Sequence, residues 1–273
     1  MQYLNAAPLI HAYDGDVVFD HPSTLARELA AGRLDAALVP VFEVLRDPVY
    51  DLVDGVAVAS DGLVHSVVLA YRGELRDIRS VILDPASLTS VHLLQVLFAE
   101  FYGLRPEYRH AAECPSGEAS TAPAGWESSP IPAEGSARLL IGNQAILSRA
   151  FEQARSPGLH WLDLSEAWHQ HTGLPFVFAV WALRPGLSAP LGVPEAFRAL
   201  KKHGLESREF LIGPEVTAPG QDPLHDPVFR RRYLTEHIRY DLGPREKEGL
   251  ARYRALLAKW RLIASADLPL RLI

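Results

Sequence analysis

The amino-acid sequence predicts an α/β protein of two lobes. Apolar runs of strand length alternate with amphipathic stretches of helix length, a pattern that is typical of α/β folds with mainly parallel sheets. The segment LPFVFAVWALR (174–184) is apolar at nearly every position, like a central strand that is buried on both faces. The chain has 273 residues, of which 48% are apolar, and this length suits two α/β lobes with a ligand cleft between them.

The first 103 residues contain five predicted strands and three predicted helices. The helices are expected at 22–32, where Gly32 ends the helix, at 41–47, and at 87–103, where large apolar residues recur at helical spacing. The strands are expected at DVVFD (16–20), LDAALVP (34–40), GVAVAS (55–60), HSVVLAY (65–71) and RSVILD (79–84).

The rest of the chain repeats these units around one irregular segment. Residues 111–136 are rich in Pro, Ser, Ala and Glu and predict a long surface loop, which Trp126 could pin down. Strand-to-helix units are predicted at 137–147 and 158–173. The segment 243–263 predicts a structural helix, because Pro244 stands at its first position and an apolar stripe follows.

Composition and motifs exclude several classes of function. The net charge of −6 does not favour a nucleic-acid partner. Cys114 is the single cysteine, so no internal disulfide is possible. The sequence shows neither a secretory signal nor an 18-residue apolar run, which predicts a cytoplasmic protein without a membrane partner. HExxH, GxGxxG, GxSxG and GxxxxGK[ST] are all missing, so neither a metal nor a nucleotide cofactor is expected.

The segment ILDPASLTSVHLL (82–94) is the clearest candidate for binding chemistry. A predicted strand ends at Asp84, and a helix begins where Ser87, Thr89 and Ser90 stand close together. The free N–H groups of a helix's first turn, together with hydroxyls, form an anion site. The alternative is that one of these hydroxyls only caps the helix.

Three further positions are candidates of the same neutral type. In LLIGNQAIL (139–147), Gly142 would allow close approach of the backbone, and Asn143 would stand at a helix start or act as an ordinary cap. Ser66 begins a predicted strand, and Asn5 is a polar residue within the apolar run YLNAAPL. The residues alone therefore predict a protein that binds a small anion in its cleft, either as an enzyme or as a binding protein.

Seven segments in this order resemble the chorismate dehydratase family of the futalosine route to menaquinone. They are YLNAAPL, LDAALVPVFEVL, SVVL, LDPASLTSVHLL, LLIGNQAIL, WHQHTGLPFVFAVWA and YDLGPREKEGLARY. The resemblance implies a type 2 periplasmic-binding-protein-like fold. Lobe one would comprise residues 1–75 and 178–273, and lobe two residues 76–177. It further implies conversion of chorismate to 3-[(1-carboxyvinyl)oxy]benzoate and water, with no metal or organic cofactor.

The resemblance also implies roles for single residues. Asn5 matches the family's catalytically important asparagine, and would orient the leaving hydroxyl or the enolpyruvyl group. Ser66 matches its active-site serine, and would bind a carboxylate. Ser87, Thr89, Ser90, Gly142 and Asn143 match turns that line the family's cleft and bind substrate.

The chain departs from the family pattern at two places. Only Met1 and Gln2 precede Tyr3, so Asn5 is expected to end either a shortened first strand or one that begins upstream. Asn143 stands where the family usually has an acid, which favours a neutral contact or cap.

Two alternative functions share the fold that the resemblance implies. One is a solute-binding protein for small anions. The other is 1,4-dihydroxy-6-naphthoate synthase, whose opening Ser-Pro-Cys-Pro-Asn-Asp pattern YLNAAPL does not match.

Overall fold

A computed structural model describes residues 3–84, 87–110, 132–185, 187, 192–213, 222–267 and 269–273. Most of the predicted loop, including Cys114 and Trp126, lies outside these ranges. The helices within them are a 3-10 helix at Leu4–Leu9, α1 (Pro22–Ala30), α2 (Val41–Arg46), α3 (Leu88–Val96, continued by a π-helical turn at Leu97–Tyr102), α4 (Gly142–Arg155), α5 (Leu164–Thr172), α6 (Val193–Glu206), α7 (Arg208–Ile212), α8 (Pro227–Arg232, continued by a π-helical turn at Tyr233–His237) and α9 (Pro244–Lys259).

The strands form two sheets. They are β1 (Ala36–Pro40), β2 (Asp51–Ser60), β3 (Val67–Arg72), β4 (Ser80–Leu83), β5 (Glu107–His110), β6 (Ser136–Ile141), β7 (Leu159–Asp163), β8 (Phe176–Leu183) and β9 (Arg271–Leu272). The first sheet has the order β1-β8-β2-β9, and the second has the order β5-β4-β6-β3-β7. The predicted α/β fold with two sheet-based units is therefore confirmed.

Both sheets are mixed, so the expectation of mainly parallel sheets is wrong. β8 runs antiparallel to both β1 and β2, and β3 runs antiparallel to both β6 and β7. Parallel pairs join β4 to β5 and β6, and β2 to β9. β8 is nevertheless central and largely buried, as its apolar sequence predicts. An all-apolar run indicates that a strand is buried on both faces, but it does not predict whether the neighbouring strands are parallel or antiparallel to it.

The two strands predicted nearest the N-terminus do not form. Residues 16–20 are irregular, and Val17, Val18 and Phe19 are 39%, 54% and 47% exposed. Their β propensity produces no strand because no neighbouring strand pairs with them. Leu4–Leu9 is a 3-10 helix rather than the end of a strand. Pro8 lies inside it and has no N–H for a sheet ladder, and the Ala6 N–H bonds instead to the carbonyl oxygen of Tyr3 at 3.0 Å.

The chain crosses twice between the sheets. It leaves the first sheet after Ser60, enters the second at Val67, and returns between Thr172 and Phe176. β3 therefore belongs to the second sheet, whereas the expected division at residue 75 assigns it to lobe one. At the first crossing, the largely buried Asp61 carboxylate lies 2.9 Å from Arg245, 3.1 Å from Arg239 and 2.9 Å from His169. One carboxylate thus ties the crossing to α5 and to the C-terminal region.

Helix α9 fixes the position of α3 against the first sheet. Pro244 occupies its first turn, and Glu246 accepts a hydrogen bond from the Gly243 N–H at 3.2 Å, as a helix start requires. Tyr253 packs edge-on against Phe176 with ring centroids 4.9 Å apart, and donates its hydroxyl to the Thr89 carbonyl at 3.2 Å. This contact holds the start of α3 at the edge of the site described below.

Candidate active site

A pocket lies where the two sheets face each other and encloses about 510 Å³ of space, its open mouth included. Its walls come from the N-terminal 3-10 helix, the turn before β3, the start of α3, the end of β6 and the middle of β8. The described lining residues are Tyr3, Asn5, Pro22, Pro40, Val58, Ser66, Val67, Ser87, Leu88, Thr89, Ser90, Ile141, Gly142, Phe178 and Ala179. Six of the seven site residues predicted from sequence are therefore brought together, and Asn143 lies outside this lining.

Asn5 projects from the 3-10 helix into this pocket. Its Oδ1 atom is buried and has no hydrogen-bond partner among the described residues. A buried carbonyl oxygen without a donor costs about 1–3 kcal/mol. Such an atom at the wall of a pocket indicates a polar group that is kept for a function rather than for stability.

Ser66 stands in the turn between the two sheets, and its backbone is tightly held. The Gly142 N–H donates to the Ser66 carbonyl at 2.7 Å, and the preceding residue, His65, has a left-handed φ of 62°. The side chain itself is not used: Ser66 is 1% exposed, and its Oγ has no hydrogen-bond partner in the described part of the chain. Ser66 and Asn5 thus each hold a buried polar atom at the pocket wall that has no partner within the described ranges.

Asp163 positions the Ser66 turn. Its carboxylate accepts the N–H of Val64 at 3.1 Å and that of His65 at 2.7 Å, and it also caps α5 by accepting the N–H groups of Ser165 and Glu166, both at 3.1 Å. Burial raises the pKa of Asp163 to about 6, although these N–H donors favour the charged form. Asp163 was not predicted as a site residue, because only the fold brings it next to the turn at residues 64–66.

Tyr233 is a second residue that the sequence did not reveal. It lies in the π-helical turn after α8, is 1% exposed, and stacks on Phe229 with ring centroids 5.6 Å apart. Burial raises the pKa of its hydroxyl, while the neighbouring side chains of Ser66 and Asn5 lower that pKa by a smaller amount. Tyr233 is thus an electrostatic neighbour of Ser66 and Asn5, although residues 5, 66 and 233 are far apart in the sequence.

The start of α3 forms the opposite wall, and there the hydroxyl groups differ in their roles. Thr89 Oγ1 accepts the Phe42 N–H at 3.2 Å and donates to the Phe178 carbonyl at 3.1 Å. Its only proton is already used, so it cannot donate to a carboxylate of a ligand. Ser87 is the N-cap residue without a side-chain capping bond, and Ser90 is 4% exposed. Ser87, Ser90 and the first-turn N–H groups remain as candidate anion ligands.

Gly142 and Asn143 both contact residues next to Asn5 at the N-terminus, through packing on Tyr3 and a hydrogen bond to Leu4. Gly142 has a φ of 60°, and a Cβ there would lie 2.6 Å from the ring of Tyr3, so only glycine allows Tyr3 to pack at this point. Asn143 Oδ1 accepts the Leu4 N–H at 3.1 Å. This neutral contact fixes the start of the 3-10 helix that carries Asn5. The substrate-binding roles expected for Gly142 and Asn143 remain predictions.

The chemistry available to the pocket is that of neutral hydrogen-bonding groups. The described lining contains no carboxylate, histidine, lysine or arginine. Across the described ranges, no three His, Cys, Asp or Glu side chains come together as a metal site would require. Amide, hydroxyl and helix N–H groups can bind and orient an anion and stabilise charge, but they are poor strong bases.

The chain matches the family model described as menaquinone biosynthesis over residues 1–259. It belongs to this menaquinone biosynthesis family. One similar curated relative is the chorismate dehydratase of Thermus thermophilus, which is 31% identical over 271 residues, covering 94% of this chain and 93% of the relative. The family predicted from the sequence segments is therefore confirmed.

Solved structures with low sequence identity share the fold. Protein AF1704 from Archaeoglobus fulgidus is 16% identical with a TM-score of 0.65, and the match covers 96% of each chain. The aliphatic sulphonate binding protein SsuA from Escherichia coli is 12% identical with a TM-score of 0.57, covering 99% of this chain and 87% of that one.

The Candida albicans CA3427 gene product, described as exhibiting the generic periplasmic binding protein fold, is 10% identical with a TM-score of 0.58, covering 97% of this chain and 90% of that one. These matches confirm the predicted periplasmic-binding-protein-like fold. Within the described residues, no helix has both the length and the hydropathy that a membrane span needs.

Proposed function

We propose that this protein catalyses the dehydration of chorismate to 3-[(1-carboxyvinyl)oxy]benzoate, as a hydro-lyase of menaquinone biosynthesis. The observation that carries the proposal is a pair of buried polar atoms, Asn5 Oδ1 and Ser66 Oγ, that have no hydrogen-bond partner among the described residues and stand at the wall of a pocket whose described lining bears no charge. The Thermus thermophilus relative, named chorismate dehydratase, supports it.

The reaction balances without a redox partner. The C3–H bond of the ring breaks, its electron pair forms a new ring double bond, and the C4–O bond breaks. The departing hydroxyl and the C3 proton together make water, and the ring becomes aromatic. Aromatisation lowers the barrier that the protein must overcome, so positioning and electrostatic stabilisation can supply much of the catalysis.

Each wall of the pocket receives a part of the substrate in this proposal. Ser66 donates a hydrogen bond to one carboxylate of the substrate, and Asn5 orients the leaving hydroxyl or the enolpyruvyl group. The start of α3, with Ser87 and Ser90, binds the second carboxylate through its free N–H groups. Because the described lining holds no strong base, we assign the C3 proton to a carboxylate of the substrate itself.

The proposal includes a cytoplasmic location, because intermediates of a biosynthetic pathway are found there, and it requires no metal or organic cofactor. A solute-binding role is the second candidate, because SsuA, one of the similar structures, is a binding protein. The two candidates differ in what happens to chorismate after it binds.

Incubation of the purified protein with chorismate tests the proposal directly. We expect a product that is lighter by one water and absorbs as a substituted benzoate, formed at a rate proportional to enzyme concentration. Asn5→Ala serves as the matched control and should form little product. Tight binding of chorismate without loss of water would overturn the proposal and favour the binding protein. Turnover of a different pathway intermediate, with none of chorismate, would favour the later enzyme of the same fold.

A further inference from the structure

The turn at Gly142 and Asn143 contacts both segments that carry the candidate active-site residues. The Gly142 N–H donates to the Ser66 carbonyl at 2.7 Å. One residue further on, Asn143 Oδ1 accepts the Leu4 N–H at 3.1 Å, and Leu4 directly precedes Asn5 in the chain. Two adjacent residues at the start of α4 therefore link the Ser66 turn to the 3-10 helix, and the second half of this link is a side-chain hydrogen bond.

The two ends of the 3-10 helix are held by elements of different sheets. Near its C-terminal end, α6, which packs against β2 of the first sheet, comes so close that a Cβ on Gly204 would lie 1.7 Å from the Pro8 carbonyl oxygen. At its N-terminal end, Asn143 holds Leu4, and α4 follows β6 of the second sheet directly. Asn5 lies beside the end that the second sheet holds, so its position depends on the hydrogen bond from Leu4.

Asn143 caps the 3-10 helix from another element. Leu4 is the first residue of this helix, and the N–H groups at the start of a helix have no acceptor inside it. The N-cap residue, Tyr3, makes no side-chain capping bond. Asn143 is half-buried and lies outside the described lining of the pocket. We therefore expect Asn143 to affect the substrate through the segment that it holds rather than by direct contact.

We propose that Asn143 is a positioning residue that sets the place of Asn5 relative to Ser66 by accepting the Leu4 N–H. Asn5 and Ser66 belong to separate segments, and a hydrogen bond joins each segment to the same turn. Misplacement of a group at the reacting centre by about 1 Å can lower the rate about a hundredfold, so this alignment affects turnover. The inference rests on the proposed function for its kinetic tests only.

The position of Asn5 can be followed by NMR without any assay of activity. The chain contains two asparagines, Asn5 and Asn143, so labelling asparagine with ¹⁵N gives two side-chain amide pairs, which Asn5→Ala assigns. Asn143→Leu removes the acceptor, whereas Asn143→Asp keeps one and places a carboxylate where the start of a helix favours it. We expect the Asn5 pair to move in Asn143→Leu and to move much less in Asn143→Asp.

A matched control removes a hydrogen bond of the same kind elsewhere. Ser265 Oγ accepts the Asp267 N–H at 3.0 Å, and neither residue is in the described lining of the pocket. Ser265→Ala should leave both asparagine pairs in place. Equal movement of the Asn5 pair in Asn143→Leu and Asn143→Asp, or no movement in either, would overturn the proposal.

The split between kcat and KM separates positioning from direct binding and from a structural role. We expect Asn143→Leu to lower kcat by about ten- to a hundredfold with KM within about threefold of wild type. Asn143→Asp should keep kcat within about threefold, because the acceptor is restored. A large rise in KM for Asn143→Asp would instead show that residue 143 faces a carboxylate of the substrate. A normal kcat in folded Asn143→Leu would also contradict the proposal.

A double-mutant cycle tests whether Asn143 acts through Asn5. In an Asn5→Ala background, Asn143→Leu should lower kcat less than about twofold, and multiplicative effects would count against the proposal. If wild type binds chorismate but does not dehydrate it, the proposed function fails, while the NMR comparison still tests this inference and the cycle is read on the dissociation constant. If Asn143→Leu does not fold, Asn143→Ala takes its place with the same expected results.

Discussion

Ser66 and Thr89 are two buried hydroxyls that line the same pocket, and they differ in how their hydrogen bonds are used. Thr89 is 4% exposed and joins α3 to the backbone of Phe42 and Phe178. Ser66 is 1% exposed, and its Oγ has no partner among the described residues. Exposure and residue type therefore do not mark a ligand-binding hydroxyl, whereas unused hydrogen-bonding capacity does.

The two walls of the pocket differ in the same way in how their polar groups are hydrogen-bonded. On one side, Asn5 and Ser66 both hold buried polar atoms without partners among the described residues, which costs stability. On the other, Thr89 satisfies one backbone group of α2 and one of β8, and so stabilises the contacts of α3 with both elements. Substitutions on the first wall should therefore affect turnover, and substitution of Thr89 should affect stability.

The largest effect is expected for Asn5→Ala. Removal of a donor that stabilises charge at the reacting centre lowers kcat by about a hundred- to a thousandfold. The melting temperature should stay the same or rise, because the change also removes a buried oxygen that has no partner in the described part of the chain. Steady-state kinetics and thermal unfolding measure both effects. A variant with near-normal kcat would show that Asn5 is not part of the reacting centre.

Ser66→Ala should have the next largest effect on activity. Loss of one hydrogen bond to a charged carboxylate corresponds to about 1.5–3 kcal/mol, which is about ten- to a hundredfold in kcat/KM. The stability measured by urea unfolding should not fall, since Oγ bonds to no described group. If kcat and KM are both unchanged, Ser66 does not contact the substrate.

Thr89→Val should give the opposite result. The change keeps the shape of the side chain but leaves the Phe42 N–H and the Phe178 carbonyl without their partner. We expect the free energy of unfolding to fall by about 1–3 kcal/mol, while kcat stays within about threefold of wild type. A stable variant that has lost activity would show that Thr89 contacts the substrate and is not mainly a structural hydroxyl.

The smallest effect concerns the pH dependence of the Ser66 turn. Burial raises the pKa of Asp163 from 3.8 to about 6 and lowers that of His65 from 6.5 to about 4. Between pH 3.8 and about 6, Asp163 is protonated in the native protein and ionised in the unfolded chain, so its contribution to stability is lost as the pH rises through this range. Between about pH 4 and 6.5, His65 is neutral in the native protein and protonated in the unfolded chain, so its contribution to stability is lost as the pH falls.

The two contributions oppose each other, and a substitution can separate them. Asp163→Asn should leave the effect of His65, so that stability falls on acidification from pH 6.5 towards 4 by up to about 1.4 kcal/mol per pH unit more steeply than in wild type. His65→Asn, which tolerates the left-handed backbone, should remove the effect of His65 and flatten this fall. Urea unfolding at several pH values measures the slopes. Equal slopes in all three proteins would contradict the assignment.

The sequence predicts the elements with strong local patterns and misses what depends on distant neighbours. β1, β3, α3 and α9 form close to the expected positions, because their apolar spacing and end signals are local. Residues 16–20 have strand propensity but no strand beside them. Strand direction could not be predicted either, because the all-apolar β8 is central with antiparallel neighbours.

The sequence predicted which residues line the candidate site, but not which hydrogen bonds their side chains make. Sequence segments brought Asn5, Ser66 and the start of α3 together as candidates, and the pocket contains all of them. They did not separate Thr89, which bonds to backbone groups, from Ser66. They also missed Asp163, because it acts on the turn at residues 64–66, which lies far away in the chain.

A crystal structure with bound 3-[(1-carboxyvinyl)oxy]benzoate tests the contrast between the two walls most directly. We expect the Asn5 side-chain amide and Ser66 Oγ each to lie about 3 Å from an oxygen of the product, while Thr89 keeps its bonds to the Phe42 N–H and the Phe178 carbonyl. A product that is bound through the Thr89 hydroxyl, with Asn5 and Ser66 out of contact, would contradict this expectation.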